Sequence, residues 1–228
     1  MSETIYQGSL GEPDDVCKIL PPHLDIDAYL PVEDPDNYWN IVQTRLRRNG
    51  ETIVMRMHWS IHGQVDSNGK RAWLLGDNNP MLLVISKDED GIQHHADLQQ
   101  KGKEKSESFA PAWTSITNKV GFRQKMSMPY LITEADGTQI PAFLETQMTG
   151  YETIKTPAGI FQNCIRVDTY YKRVTGTVFN SVVHFCAGVG LVRYKFRQIN
   201  TLNNSIIVVG AMELENARVN GKLYGNPS

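Results

Sequence analysis

Apolar and polar residues alternate along most of this chain, and turn residues interrupt the alternation at intervals of about 8 to 12 positions. The stretch from Trp39 to Ile61 is typical, because Asn49-Gly50 divides it into two alternating runs and favours a tight hairpin turn. No long stretch shows helical spacing. The pattern therefore predicts a mainly β protein with little helix: a single antiparallel curved sheet in the form of a half-barrel, a barrel or a sandwich, since bare sheet edges invite pairing with other chains.

The distribution of proline and charge suggests how the chain is divided. Residues 1–37 contain five prolines and many acids, a composition that favours an extended lead-in over regular structure. Residues 38–216 contain the alternating runs, and a chain of 228 residues is long enough to bury a core in one domain. We therefore predict an extended proline-rich lead-in at 1–37, a single antiparallel β domain at 38–216 and a polar tail at 217–228.

One charged segment interrupts the β pattern. Residues 87–107 include an acidic turn and a lysine-rich stretch, which is typical of a mobile, solvated connection on the surface. Trp113 follows this segment, and its position after Pro111 is compatible with a lid or a short covering helix.

Two glycine-containing turns lie in the second half of the chain. Pro157 and Gly159 favour a tight turn before an alternating run, and Gly188 and Gly190 favour a bulge or a sharp bend. We expect these four residues to shape a curved sheet and to have no part in catalysis.

Three cysteines, Cys17, Cys164 and Cys186, cannot all pair within one chain. Cys164 and Cys186 lie in apolar, strand-like runs, where cysteines commonly act as small buried hydrophobic residues. Two buried thiols are the prediction, and a disulfide between neighbouring strands is the alternative.

Two short phrases resemble a known group of proteins. The sequence Pro157-Ala-Gly-Ile-Phe-Gln-Asn-Cys164 and the later Gly188-Val-Gly-Leu-Val192 are similar to motifs of uncharacterised exported bacterial β-proteins and lipoproteins. That group is similar in outline to the lipoprotein-carrier fold, whose curved antiparallel sheet holds acyl chains on its concave face. Cys17 follows Asp14-Asp15-Val16, which are the wrong surroundings for lipid attachment, so the resemblance implies a fold and little about function.

Charge and hydropathy exclude some partners. A net charge of −2 gives no field able to hold nucleic acid, so no nucleic-acid partner is expected. The chain has no transmembrane segment by its hydropathy and is expected to be soluble. Its start does not read as a signal peptide, so we expect periplasm or cell envelope if a signal segment was removed, and cytoplasm otherwise.

Candidate chemistry is sparse. None of the usual motifs of hydrolases, nucleotide-binding proteins or zinc peptidases occurs, so no catalytic residue and no cofactor are predicted. His94, His95 and Asp97 offer three possible metal ligands within four positions, although consecutive strand residues point to opposite faces. A metal-dependent enzyme that uses His94 and His95 is therefore kept as one alternative.

Large adaptable side chains exceed what one thin sheet needs, and they could line a cavity or fill a core. The predicted ligand-binding residues are Trp39, Met57, Trp59, Trp73 and Trp113. The leading hypothesis is a noncatalytic binding or envelope-maintenance protein that holds an apolar small molecule, a lipid or a partner protein's segment. The other alternative is a structural subunit that docks through a sheet edge.

Overall fold

The computed structural model describes residues 24–67, 69–77, 81–99 and 104–226. This part of the chain contains one helical turn followed by thirteen strands. In chain order the elements are α1 (Ile26–Tyr29), β1 (Tyr38–Arg47), β2 (Thr52–Ser67), β3 (Lys70–Asp77), β4 (Met81–Asp88), β5 (Gly91–Gln99), β6 (Glu104–Thr117), β7 (Lys125–Glu134), β8 (Gln139–Thr156), β9 (Gly159–Arg173), β10 (Thr177–Cys186), β11 (Gly190–Asn200), β12 (Ser205–Val219) and β13 (Lys222–Tyr224).

The strands form one antiparallel sheet in which each strand pairs with the next along the chain. The sheet closes on itself because β1 also pairs with β12, from Tyr38 opposite Arg218 to Arg47 opposite Val208. Twelve strands thus form a barrel, and β13 adds to the end of β12. The prediction of a mainly β, antiparallel fold with little helix is confirmed, and the barrel is the one of its three predicted forms that the structure shows.

Among the twelve strands of the barrel, β6 and β7 have the shortest pairing that the structure describes. β6 pairs with β7 only from Glu107 opposite Glu134 to Ala110 opposite Leu131. Beyond this point the two strands separate, and the loop at 118–124 places Val120 against the core in the space between them. The barrel wall is therefore hydrogen-bonded all round except along this gap.

Alternation along the strands sends every second side chain into the barrel. On β1, Trp39, Ile41 and Gln43 are buried, while Asn40 bonds to Asn216 on the neighbouring strand instead of entering the core. The interior is consequently apolar over most of its length.

The chain before β1 closes one end of the barrel. Leu24, Ile26, Tyr29 and Leu30 are buried in one cluster with residues of the barrel interior. The Gly188 N–H, in the β10–β11 turn, donates to the Ala28 carbonyl at 2.7 Å. We call this end, where the segment 24–32 packs against the β10–β11 turn, the closed end.

Polar contacts hold the segment in place. Asn118 accepts a hydrogen bond from the Leu24 N–H at 2.8 Å and donates to the Leu24 carbonyl at 3.1 Å. Lys87, whose side chain is only 4% exposed, places its Nζ 2.7 Å from Asp27 Oδ1 and 3.6 Å from Glu33 Oε1. The segment is thus fixed to β4 and to the residue after β6.

The β8–β9 hairpin extends past the end of β10 and reaches β12, where the Ala158 N–H donates to the Leu214 carbonyl at 3.1 Å. A disulfide between Cys164 and Cys186, whose Cα atoms are 4.1 Å apart, joins this hairpin to the end of β10. The prediction of two buried thiols is wrong, because the pairing register places these cysteines side by side. The alternative, a disulfide between neighbouring strands, is the arrangement observed. Cys17 lies outside the described residues.

Two further expectations are wrong. The charged segment from residue 87 is not a surface connection over its described part, because β5 lies within it and Ile92 enters the core. Trp113 belongs to β6 and is not part of a lid or helix. In both cases a few inward-facing side chains determine the structure, although the local composition is polar or contains proline.

The predicted domain division stays a prediction, and the structure adds detail at both of its boundaries. The described part of the lead-in includes α1, whose Ile26 and Tyr29 are buried. Residues 217–219 continue β12, and residues 222–224 form β13.

Candidate functional site

The barrel encloses a cavity of about 420 Å³. It extends from the closed end, where Leu30 and Pro31 line it, to the opposite end, where Arg45 lines it and is exposed to solvent. We call this second end, which includes the β9–β10 and β11–β12 turns, the open end. The volume lies in the range of about 300–1,000 Å³ that is typical of small-molecule sites.

Apolar side chains form the half of the cavity next to the closed end. They come from strands on all sides of the barrel, because each strand contributes its inward-facing positions. The aliphatic residues here include Ile41, Leu75, Ile85, Ile92, Leu191 and Met212.

A row of aromatic rings lines the cavity on the side formed by β6, β9, β10 and β11. The centroid of Trp113 lies 6.4 Å from that of Tyr171, which lies 5.9 Å from that of Phe179. Phe179 stacks on Phe196 at 6.1 Å. The ring of Phe196 lies over Gly210, where an added Cβ would come within 2.4 Å of the Phe196 Cζ, so this position has no room for a side chain.

Charged groups lie among these rings toward the open end. The Arg173 guanidinium lies 2.6 Å from Glu107 and 3.2 Å from Glu134, and it also donates to the Tyr171 hydroxyl. Burial alone would lower the pKa of Arg173, but hydrogen bonds with Glu107 and Tyr171 outweigh it and raise that pKa. Burial raises the pKa of Tyr171, so its hydroxyl is neutral and can accept this bond. Arg173 is therefore permanently charged, and its charge is paired with those of Glu107 and Glu134.

Arg45 differs from Arg173. It lines the cavity at the open end, and no ion pair or hydrogen bond connects it to any other residue that the structure describes. This cation is available to an incoming acidic group.

The structure separates the two histidines of the predicted metal site. His94 faces the cavity, where its Nε2 lies 2.8 Å from Asp97 Oδ1. His95 is buried with its Nε2 2.7 Å from Ser86 Oγ, and burial lowers its pKa. Among the residues described, no group of three or more histidine, cysteine or acidic side chains is placed to hold a metal ion. Of the three residues in the metal hypothesis, His94 and Asp97 thus lie close together, and His95 bonds elsewhere.

The predicted ligand-binding residues are divided between cavity and core. Trp39, Trp59 and Trp113 line the cavity. Met57 packs in the core cluster around Trp39, and Trp73 lies at the closed end, with Lys87 Nζ 5.6 Å from its ring centroid. Their inclusion followed from size and alternation alone, which do not distinguish a cavity wall from a filled core.

Sequence reasoning missed several polar residues that line the cavity. Four of them occupy inward positions on their strands: Gln43, Arg45, Glu107 and Arg173. These strands fit an alternating pattern only if polar residues are accepted on the inner face. Their signal was weak: Gln43 and Arg45 continue the spacing of Trp39 and Ile41. That spacing could have assigned them to the interior.

A second buried ionic group lies outside the cavity lining. Arg166 forms a two-bond pair with Asp168, at 2.7 and 3.0 Å, and also lies 3.1 Å from Glu152. His184 Nε2 lies 2.8 Å from the other oxygen of Glu152. Burial would raise the pKa of Glu152, but hydrogen bonds from His184 and Arg166 outweigh it and hold that pKa below its ordinary value. This network connects β8, β9 and β10.

The fold class is that of a closed antiparallel β-barrel, and two solved structures are similar to it. One is a candidate lipoprotein from Parabacteroides distasonis, 15% identical, with a TM-score of 0.41 over 85% of this chain and 100% of that one. The other is the hypothetical lipoprotein YmcC from Escherichia coli, 9% identical, with a TM-score of 0.39 over 82% of this chain and 89% of that one.

Both neighbours are described as lipoproteins. No family model matches the chain, and no curated protein matches it significantly. The part of the chain that the structure describes has no helix with the length and hydropathy needed to cross a membrane.

Proposed function

We propose that this protein is a noncatalytic binding protein that holds an apolar, chain-like small molecule such as a lipid inside its barrel. The observation that supports the proposal is the cavity itself: about 420 Å³, lined mainly by aliphatic and aromatic side chains and closed at one end by the segment 24–32. Transfer of apolar surface from water into such a site is favourable at roughly 25 cal/mol per Å².

The polar groups suggest how the ligand is oriented. The closed end offers aliphatic side chains, whereas the open end offers the unpaired guanidinium of Arg45. An amphiphile would therefore place its apolar tail toward Leu30 and an acidic head toward Arg45. Burial of the tail would supply most of the affinity, and the head would fix the direction.

The disulfide bears on the compartment. Disulfides persist in oxidising environments such as the bacterial periplasm and are rare in the cytosol. The Cys164–Cys186 bond therefore supports a location in the periplasm or cell envelope.

The test is to look for retained lipid and then to fill the cavity. Native mass spectrometry of protein purified from cells should show a bound amphiphile. Val183 lines the cavity, so Val183→Trp should abolish binding of the fluorescent probe N-phenylnaphthylamine. Val54 is 59% exposed on the outside, so the matched Val54→Trp should bind as the wild type does. Equal binding by both variants would refute the proposal.

A partner docking through a sheet edge is the remaining alternative. The β1–β12 pairing occupies the edges that an open sheet would expose, so this idea has only β13 and the β6–β7 gap left to use. Light scattering of the purified protein would reveal a stable assembly if that alternative were correct.

A further inference from the structure

The cavity wall contains a buried side-chain amide whose oxygen has no hydrogen-bond partner among the described residues. Gln43 is 1% exposed, and its Oε1 accepts no hydrogen bond from any described residue. Its position on β1 follows the inward spacing of Trp39 and Ile41, so its side chain enters the apolar interior. A buried amide oxygen without a donor is costly, because it has lost its hydrogen bonds to water.

A second polar group of the wall is in the same condition. The Nε1–H of Trp113 is buried and donates to no described residue. Trp113 also lines the cavity, on β6. Among the described residues that line the cavity, the Gln43 Oε1 is therefore a buried acceptor without a donor, and the Trp113 Nε1–H is a buried donor without an acceptor.

These two groups restrict the chemistry of the ligand. A plain hydrocarbon chain would leave the Gln43 Oε1 without a donor, and a hydroxyl group would satisfy it because a hydroxyl can donate a hydrogen bond to this oxygen. We propose that the ligand is a hydroxylated acyl chain whose hydroxyl group binds the Gln43 amide. This inference rests on the proposed function and specifies the class of molecule that the same cavity selects.

Specificity should then depend on one side chain. A site built to hydrogen-bond a hydroxyl discriminates against an analogue that lacks it, because the buried group of the protein is left without a partner. Replacing Gln43 by leucine removes the polar group while keeping a side chain of similar size. The variant should lose its preference without losing its affinity for plain chains.

The experiment measures, by calorimetry, binding of lauric acid and its monohydroxylated isomers to protein stripped of copurified lipid. In the wild type, at least one isomer should bind about tenfold more tightly than lauric acid. In Gln43→Leu, that isomer and lauric acid should bind within about twofold of each other. Gln162 is exposed and does not line the cavity, so the control Gln162→Leu should keep the wild-type preference.

The outcomes separate the two proposals. If lauric acid and every hydroxylated isomer bind the wild type equally, the hydroxyl preference is wrong and the binding function stands. If none of these molecules binds and N-phenylnaphthylamine does not bind either, the proposed function fails. If Gln43→Leu does not fold, nitrogen NMR of the wild type decides, because the Gln43 side-chain amide signal should shift further with the preferred isomer than with lauric acid. Equal shifts would overturn the inference.

Discussion

The two ends of the barrel differ in how their charged groups are paired and in how completely side chains fill the interior. At the closed end, charged groups are paired across an interface, as Lys87 is with Asp27 and Glu33, and apolar side chains fill the space. At the open end, Arg45 has no partner among the residues that the structure describes, and the cavity reaches solvent. The comparison indicates that one end contributes stability and the other is left available for a ligand.

The largest effect is expected from removing the central side chain of the closed end. Trp39 is 4% exposed, and its Nε1–H donates to the Val189 carbonyl at 2.7 Å. Trp39→Ala should lower the free energy of unfolding by about 3–5 kcal/mol, since it creates a cavity and leaves a carbonyl unpaired. Chemical denaturation measures this change. Leu202, 80% exposed near the open end, is the control, and Leu202→Ala should change stability by no more than about 0.5 kcal/mol.

The next effect concerns the disulfide, which joins the β8–β9 hairpin to β10 beside the β10–β11 turn. It closes a loop with a sequence separation of 22 residues. Replacing both Cys164 and Cys186 by serine should lower the free energy of unfolding by about 2–4 kcal/mol. The midpoint of urea unfolding reports this change, and a reductant should shift the wild type but not the variant. An unchanged wild-type midpoint in reductant would contradict the expectation.

A smaller effect should follow from releasing the segment that closes the barrel. Asn118 makes two hydrogen bonds to the backbone of Leu24. Asn118→Ala should cost about 1–3 kcal/mol, because it leaves these buried backbone groups without partners. Hydrogen exchange should show faster opening of residues 24–32 and no change in the strands at the open end. Uniformly faster exchange would indicate a general loss of stability instead.

Acidification should weaken the network of Glu152, Arg166 and His184. The pKa of Glu152 is lower in the folded protein than its ordinary value of 4.5. The contribution of Glu152 to stability is therefore present above about pH 4.5, and it is lost as the pH falls through the pKa of the folded state. The difference in unfolding free energy between the wild type and Glu152→Gln should be largest near neutral pH and should shrink below about 4.5. A difference that does not depend on pH would mean that the network stabilises the protein by packing alone.

The smallest effect on stability is expected at the open end. Arg45 is exposed and unpaired among the described residues, so Arg45→Ala should change the free energy of unfolding by no more than about 0.5 kcal/mol. The same variant should weaken binding of lauric acid more than binding of lauryl alcohol, which has no acidic head. Arg47, on the same strand but paired with Glu51, provides the control. Equal loss for the acid and the alcohol would exclude a role for the charge.

The strands could be predicted because their signals are local. Asn49-Gly50 and Thr175-Gly176 mark turns that the structure contains, with Gly50 at φ +82° and Gly176 at φ +88°. The cavity could not be predicted with the same success. Trp59 and Trp73 both occupy apolar positions of alternating strands, but of these two only Trp59 lines the cavity. Which inward residue meets a neighbour and which meets empty space depends on closure through β1 and β12. That pairing joins residues far apart in sequence.

The closing segment was not predicted, and the disulfide was only the alternative to two free thiols, for a related reason. Residues 24–32 read as an irregular lead-in because their packing partners, such as Asn118 and Lys87, are distant in sequence. The bond between Cys164 and Cys186 depends on the register of two strands. Sequence patterns give the period of a strand, but not its register against a neighbour.

The short pairing between β6 and β7 has a consequence for how far the wall can expand. Elsewhere, enlarging the barrel circumference would break ladders of hydrogen bonds between strands. Residues 111–117 have no partner on β7, so the wall can part along this line without breaking any bond between these two strands. Along this line the described wall therefore depends on side-chain packing, such as that of Val120 against the core, instead of on hydrogen bonds between neighbouring strands.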